Sequence, residues 1–258
     1  MHDPLITLTT DFGTASPYVA SMKGVLLTLN PAARLLDLSH DIPPQDIRHA
    51  AFFLASALPT FPAEVIHLVV VDPGVGTARA ALYVEVAGHR LVVPDNGCWT
   101  LLEQPGQSPR VIHLSDTRFF RSPLSATFHG RDLFAPVAAH LSLGVDPGEL
   151  GAEVTQWHRL TNPAPLLSAE SLVGEVVFID HFGNLITNIP GEIFLSKPGT
   201  VWVRDQEIRT RVGTYGEAPP NTLVALVSSA GLLEVAQVQG NAANCLQAGV
   251  GTPVVLHW

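Results

Sequence analysis

The sequence predicts an α/β protein of two domains. The first is an N-terminal α/β sandwich-like domain with a central, mostly parallel sheet, and the second a smaller C-terminal all-β, barrel-like domain. Three observations carry this. Up to about residue 145, short β-rich runs alternate with helical stretches, as in an α/β layer. The segment LTNPAPL, at residues 160–166, holds two prolines and reads as a linker. Beyond it, strand-like runs recur with almost no helical periodicity, as in a small barrel or sandwich. The expected domains are therefore 1–160 and 168–258, joined by a linker at about 160–167.

Residues 5–9 read as the first strand. Ser16-Pro17 then reads as an N-cap followed by proline at the first helical position, opening a helix that runs to about Leu29 before Pro31. Residues 34–38 form a second strand and 45–58 a second helix. VIHLVVV, at 65–71, suits a central strand buried on both faces. Runs at 81–86 and 90–93 flank Ala87-Gly88, a hairpin turn. Residues 130–143 form the last helix of this half. After the linker, strands are expected at 173–179, 185–189, 201–204, 222–227, 232–237 and 253–256.

The chain has 258 residues, of which 47% are hydrophobic and 14% charged, ample for a sizeable core. Its formal charge of -9 argues against nucleic acid or anionic membranes as partners and leaves room for a small cationic ligand. Cys98 and Cys245 form no C-x-x-C or zinc-type spacing and read as two buried thiols. Met1-His2-Asp3-Pro4 has no basic n-region, and no apolar run reaches the roughly 18 residues of a membrane span. A cytoplasmic location is expected.

The candidate chemistry sits where β-runs end in polar or glycine-rich loops, the place where open α/β sheets bind ligands. Thr9-Thr10-Asp11-Phe12-Gly13 comes directly after the first strand. Its D-F-G lacks the Gly-rich loop, lysine strand and H-R-D of a kinase, and Asp11 is either a hydroxyl acceptor or a turn residue. Asp72-Pro73-Gly74-Val75-Gly76-Thr77-Ala78-Arg79 has neither G-K-[ST] nor G-x-G-x-x-G, so phosphate cradling is weakly supported. Asp72 and Arg79 can pair across this compact loop. In Thr127-Phe128-His129-Gly130-Arg131-Asp132, His129 is a candidate acid or base. Pro94-Asp95-Asn96-Gly97 reads as a turn with Asp95 or Asn96 capping the helix after it. Asp180-His181-Phe182-Gly183-Asn184 and Asn241-Ala242-Ala243 read as β-turns. No metal-ligand cluster is present in the motifs.

Taken in order, T-D-F-G, Y-V-A-x-M-K-G, V-V-D-P-G-V-G-T-x-R, P-D-N-G, F-H-G-R-D and D-x-F-G-N-L-I-T-N-I resemble the S-adenosyl-L-methionine hydrolase (adenosine-forming) family. Its relatives are the S-adenosylmethionine-dependent fluorinase and chlorinase. The resemblance implies hydrolysis of S-adenosyl-L-methionine to adenosine and L-methionine without metal or cofactor. It also implies a homotrimer that binds this small-molecule substrate between subunits. Residue by residue, Asp72, Arg79 and His129 match the catalytic set. Asp11 matches the carboxylate that receives the ribose hydroxyls, and Phe128 a wall of the ribose and C5′ pocket. Asp180 matches the group that meets the methionine ammonium, Asn184 and Ala242 adenine contacts, and Ser229 a methionine-carboxylate contact.

Two positions depart from the family pattern. Ser16 stands where the family usually has Asp, and Ala230 where halogenase relatives have an arginine. The halogenases carry an aromatic residue in place of Asp72, whose charge repels halide and favours water. A halogenase of the same superfamily and a non-catalytic S-adenosylmethionine or adenosine sensor are the rival readings. Chloride-dependent product would reveal the former, and tight binding without turnover the latter.

Overall fold

The computed structural model of the protein describes residues 3–161 and 164–258. Met1, His2, Asn162 and Pro163 lie outside them, and with them part of the predicted linker and of the N-terminal tetrapeptide. The chain forms two compact units, the first ending at Leu160 and the second spanning Thr161–Trp258.

The first unit contains β1 (Leu5–Thr10), α1 (Tyr18–Leu29), β2 (Arg34–Ser39), α2 (Ile47–Ala57), β3 (Ile66–Val70), β4 (Ala81–Val86), β5 (His89–Pro94), β6 (Arg110–Leu114), α3 (Ala135–Ser142) and β7 (Gly151–Glu153). Its seven strands form one sheet in the order β2-β1-β3-β5-β4-β6-β7. Alternation along the strands divides the core. Ile6, Leu8, Leu68 and Val70 pack with Met22 and Leu26 of α1 and with Val137 and Ala138 of α3. On the other face Val69, Val71, Leu82 and Val84 pack with Ala50 and Leu54 of α2 and with Trp99. The expected two-sided burial of β3 holds at every residue of that strand.

The sheet is mixed, not mostly parallel. The pairings of β1 with β2 and β3, and of β3 with β5, are parallel; those of β4 with β5 and β6, and of β6 with β7, are antiparallel. The reason is the predicted hairpin. Ala87 and Gly88 both take positive φ, 49° and 82°, the two-residue geometry that folds β5 back along β4. From β5 outward the strands then alternate: β4 and β7 run opposite to β1, β3 and β5, and β6 runs with them.

Two helix starts also differ from expectation. Ser16 does not cap α1: its hydroxyl donates to the Phe12 carbonyl (3.0 Å), and α1 begins at Tyr18. The expected helix over 130–143 opens with a π-helical turn, Gly130–Phe134, before α3. Pro136, at the start of α3, has no N–H to donate to residue 132, so the α-helical ladder cannot begin earlier.

The second unit contains β8 (Leu166–Leu167), β9 (Ser171–Ile179), β10 (Leu185–Pro190), α4 (Gly191–Ser196), β11 (Thr200–Val203), β12 (Gln206–Ile208), β13 (Leu223–Val227), β14 (Leu232–Gln237), α5 (Ala242–Leu246) and β15 (Pro253–His257). The sheet runs β12-β11-β15-β9-β10-β14-β13, with β8 added to β9. It curls toward closure: the chain after β12 meets β13, where Ala225 donates to the Thr210 carbonyl (2.9 Å) and Val212 to the Ala225 carbonyl (3.1 Å). Val176, Leu185, Val201, Leu233, Val235 and Val254 fill the interior. The two short helices were not expected. Cys98 is buried as predicted but Cys245 is exposed, because α5 turns Ala242 and Leu246 inward and leaves position 245 outside.

Candidate active site

β1, β3 and β5 are adjacent and parallel, so their carboxyl ends open on one edge of the sheet. Asp11 follows β1, Asp72 follows β3, and Asp95 and Asn96 follow β5. That edge is where polar loops converge in open α/β sheets.

The loop over residues 72–79 folds on itself and brings Arg79 onto Asp72. Arg79 Nε donates to Asp72 Oδ1 (3.0 Å) and Nη2 to Oδ2 (2.5 Å), a bidentate pair whose side chains are only 8% and 4% exposed. Two further guanidinium donors are engaged: Nη1 reaches the Ala80 carbonyl (3.0 Å) and Nη2 reaches His129 Nδ1 (3.1 Å). The Phe134 ring lies 5.3 Å from the guanidinium carbon. Such a planar fork, held on every side, orients its partners.

Gly76 allows the 72–79 loop to approach the His129 segment. Its φ is +76°, and any Cβ there would collide with the Ala126 carbonyl. His129 then sits directly before the π-helical turn, a local widening frequent at functional sites. Arg79 has only donors, so His129 Nδ1 accepts and the ring proton resides on Nε2. Burial, then the Arg79 charge, pushes His129 below its ordinary value, with Asp72 and Asp132 opposing, which favours this neutral imidazole. Burial pushes Asp72 up, while Arg79 and His129 pull it down; the net direction is upward. Both Asp72 oxygens accept from Arg79, and the Gly74 backbone N–H adds a further hydrogen bond to the carboxylate.

Asp11 and Phe128 flank this set. Asp11 Oδ2 accepts from the Gln45 backbone N–H (2.8 Å), which ties the loop after β1 to the start of α2. Phe128 stacks edge-on against Phe12 (6.1 Å) and Tyr18 (5.1 Å) and receives Arg131 over its ring (5.1 Å). The T-D-F-G and F-H-G-R-D segments, far apart in sequence, thus meet through their aromatic rings.

The second unit carries its own cluster. Asp180 Oδ1 accepts from the backbone N–H of Phe182 (2.9 Å) and Asn184 (2.8 Å), and Oδ2 from Asn184 Nδ2 (2.9 Å). Gly183 (φ +83°) packs against Asn241, and Ala243 donates to its carbonyl (2.9 Å), so the D-H-F-G-N turn and the start of α5 at Ala242 are joined. Asp180, Phe182, Asn184 and Tyr215 line a cavity of about 450 Å³. Ser229 is not among its lining residues; it occupies the exposed turn between β13 and β14. Tyr215, which donates to buried Glu234 (2.7 Å), escaped the sequence reading because neither residue lies in a recognisable motif. Among the described residues no group of three or more His, Cys, Asp or Glu is arranged to hold a metal.

Comparison with known proteins places the chain in a family. Residues 6–151 match the family described as SAM hydroxide adenosyltransferase N-terminal domain, and residues 174–255 its C-terminal domain. The chain is 41% identical over 248 residues to the (R)-S-adenosyl-L-methionine hydrolase of Salinispora arenicola, covering 94% of each protein. It is 42% identical over 260 residues to the enzyme of the same name from Thermus thermophilus, covering 95% of this chain and 96% of that one. A fluorinase from an Actinoplanes species is more distant, at 25% over 214 residues and 72% of each. A crystal structure of an uncharacterized conserved protein from Thermotoga maritima superposes with a TM-score of 0.91 at 34% identity, covering 98% of this chain and 100% of that one. Both halves of the sequence and the fold that carries them agree: this chain belongs to the SAM hydroxide adenosyltransferase family.

Proposed function

We propose that the protein is an enzyme that hydrolyses S-adenosyl-L-methionine to adenosine and L-methionine. The observation that carries this reading is the Asp72–Arg79–His129 constellation at the carboxyl ends of the parallel strands β1, β3 and β5, in a chain 41–42% identical to hydrolases named for this substrate. Water attacks C5′, the C5′–S bond breaks, and its electron pair stays on sulfur, leaving methionine as a neutral thioether. The sulfonium is a good leaving group already, so the step needs a positioned, activated water and involves no metal or cofactor in this scheme.

The hydrogen-bond pattern divides the labour. Arg79 occupies the only lone pair of neutral His129, so His129 offers Nε2–H and holds the water oxygen as a donor. The Asp72 carboxylate has about four lone-pair sites, more than Arg79 and Gly74 fill, and burial raises its proton affinity, so it takes the proton. Its negative charge at the same place disfavours halide as the nucleophile. Asp11 and Phe128 bind the ribose side, and Asp180, Asn184, Ala242 and Ser229 the adenine and methionine ends. The working unit is a homotrimer. Among the described residues no helix is long and apolar enough to cross a membrane, and we place the enzyme in the cytoplasm.

The test is hydrolysis in ¹⁸O-labelled water, with the products separated by chromatography and weighed by mass spectrometry. Adenosine gains one heavy oxygen on its 5′ carbon, methionine gains none, and added chloride does not divert the product. Labelled homoserine, free adenine or a 5′-chloro nucleoside as the main product would overturn the assignment, and tight binding without turnover would favour a sensor.

A further inference from the structure

The P-D-N-G turn is used neither by the catalytic scheme nor by the core, yet it touches the active loop at both ends. The parallel ladder between β3 and β5 pairs Ile66 with Arg90, His67 with Leu91 and Leu68 with Val92. Beyond it the chain leaves β3 through Val71, a fully buried residue immediately before Asp72. The Val71 carbonyl is met by Asn96, whose Nδ2 donates at 2.8 Å. The same turn grips the other end of the loop: the Asp95 backbone N–H donates to the Ala80 carbonyl (2.9 Å), the oxygen that also receives Arg79 Nη1 (3.0 Å).

The turn is anchored from behind. Asn96 Oδ1 accepts from the Cys98 N–H (3.2 Å), and the Asp95 carboxylate accepts from the His158 backbone N–H (2.8 Å) and pairs with its ring (3.1 Å). Gly97 has φ +89°, and a Cβ there would come within 2.6 Å of the Leu160 nitrogen. The half-buried position of Asn96 demands a side chain that donates and accepts at once, beside the fully buried Val71, whose carbonyl would be costly to leave unmet. An amide satisfies this and an isosteric carboxylate cannot.

We propose that Asn96 is a positioning residue for hydrolysis: through Val71 it sets where the Asp72 carboxylate points, while Asp95 holds the Arg79 end of the loop. This rests on the proposed hydrolase reading. Displacement of a reacting group by about 1 Å can cost roughly 10²-fold in rate. Asn96→Ala is therefore expected to lower kcat by about 10–100-fold while KM stays within about threefold.

Three measurements test the inference in the full-length protein: steady-state kinetics, thermal unfolding, and the pH profile of kcat. Asn96→Asp is the second variant, because it keeps the shape and removes the donor. It should lower kcat like Asn96→Ala and move the acid limb of the profile upward, since a second carboxylate near Asp72 favours its protonated form. On an Asp72→Ala background, Asn96→Ala should add less than about twofold, because Asn96 acts through Asp72. Unchanged kcat in both folded variants, or full additivity with Asp72→Ala, overturns the inference while leaving the hydrolase reading intact. Absence of adenosine from the wild-type protein overturns the hydrolase reading instead.

Discussion

Removing Arg79 tests the centre of the site most directly. The perturbation is Arg79→Met, which keeps the stem against Phe134 and deletes every guanidinium donor. Asp72 would then be a carboxylate whose side chain is 4% exposed and whose bidentate partner is gone. Breaking a buried pair from one side typically costs about 3–5 kcal/mol, which for a protein of this size lowers Tm by roughly 6–20 °C. Asp72→Asn removes the charge instead. The double variant should lose less stability than the sum of the singles, with a coupling of at least about 1 kcal/mol. Urea unfolding of the four proteins measures that coupling. The kinetics should be non-additive as well, since Arg79 and Asp72 act as a unit, and the double variant should be no slower than the slower single. Additivity within about 0.5 kcal/mol and a Tm shift under about 2 °C would refute the description of a dry, mutually dependent pair.

Other outcomes stem from the same geometry. Asp72→Ala and His129→Ala should each lower kcat by about 10²–10⁴-fold, with affinity changing less. His129→Gln, which can still donate near the position of Nε2, should retain more activity than His129→Ala in the same assay; equal loss would make His129 a base. His67 is fully buried beside His89 and Arg90, and burial pushes its folded value to about 3 from 6.5. The unfolded chain therefore binds a proton below pH 6.5 that the folded one refuses. Stability is full above pH 6.5 and falls as pH drops toward 3, by about 2 kcal/mol at pH 5. Urea titrations at pH 7.5 and pH 5 should show a smaller loss for His67→Leu than for wild type; equal losses would contradict it. Mixed Asp72→Ala and Asn184→Ala subunits should recover activity through hybrid sites if the homotrimer reading holds, whereas an active monomer in sedimentation would exclude it.

Local elements were legible where chemistry is local. The strands at β1, β3, β4 and β14 and the Ala87-Gly88 turn arise from alternation, β-branching and glycine, all short-range signals. Weakly patterned pieces escaped. β6 and β7 have little periodicity of their own and exist because an edge of the sheet accepts them. The π-helical turn at Gly130–Phe134 depends on the proline just beyond it, and the smooth apolar run conceals the interruption.

By itself, then, the sequence determined which residue types stand at strand ends: Asp11, Asp72, Arg79, His129 and the P-D-N-G turn were all visible in it, and so was the family resemblance. It could not determine that β1, β3 and β5 lie side by side, that β4 runs against them, or that the Arg79 paired with Asp72 also holds His129. Nor could it distinguish Asn96 as a cap from Asn96 as the donor to the Val71 carbonyl. Local propensity is set by each residue and its immediate neighbours. Strand order, the tautomer of a histidine and the partner of an amide are set by groups tens of residues away, which only the folded chain brings within hydrogen-bonding distance.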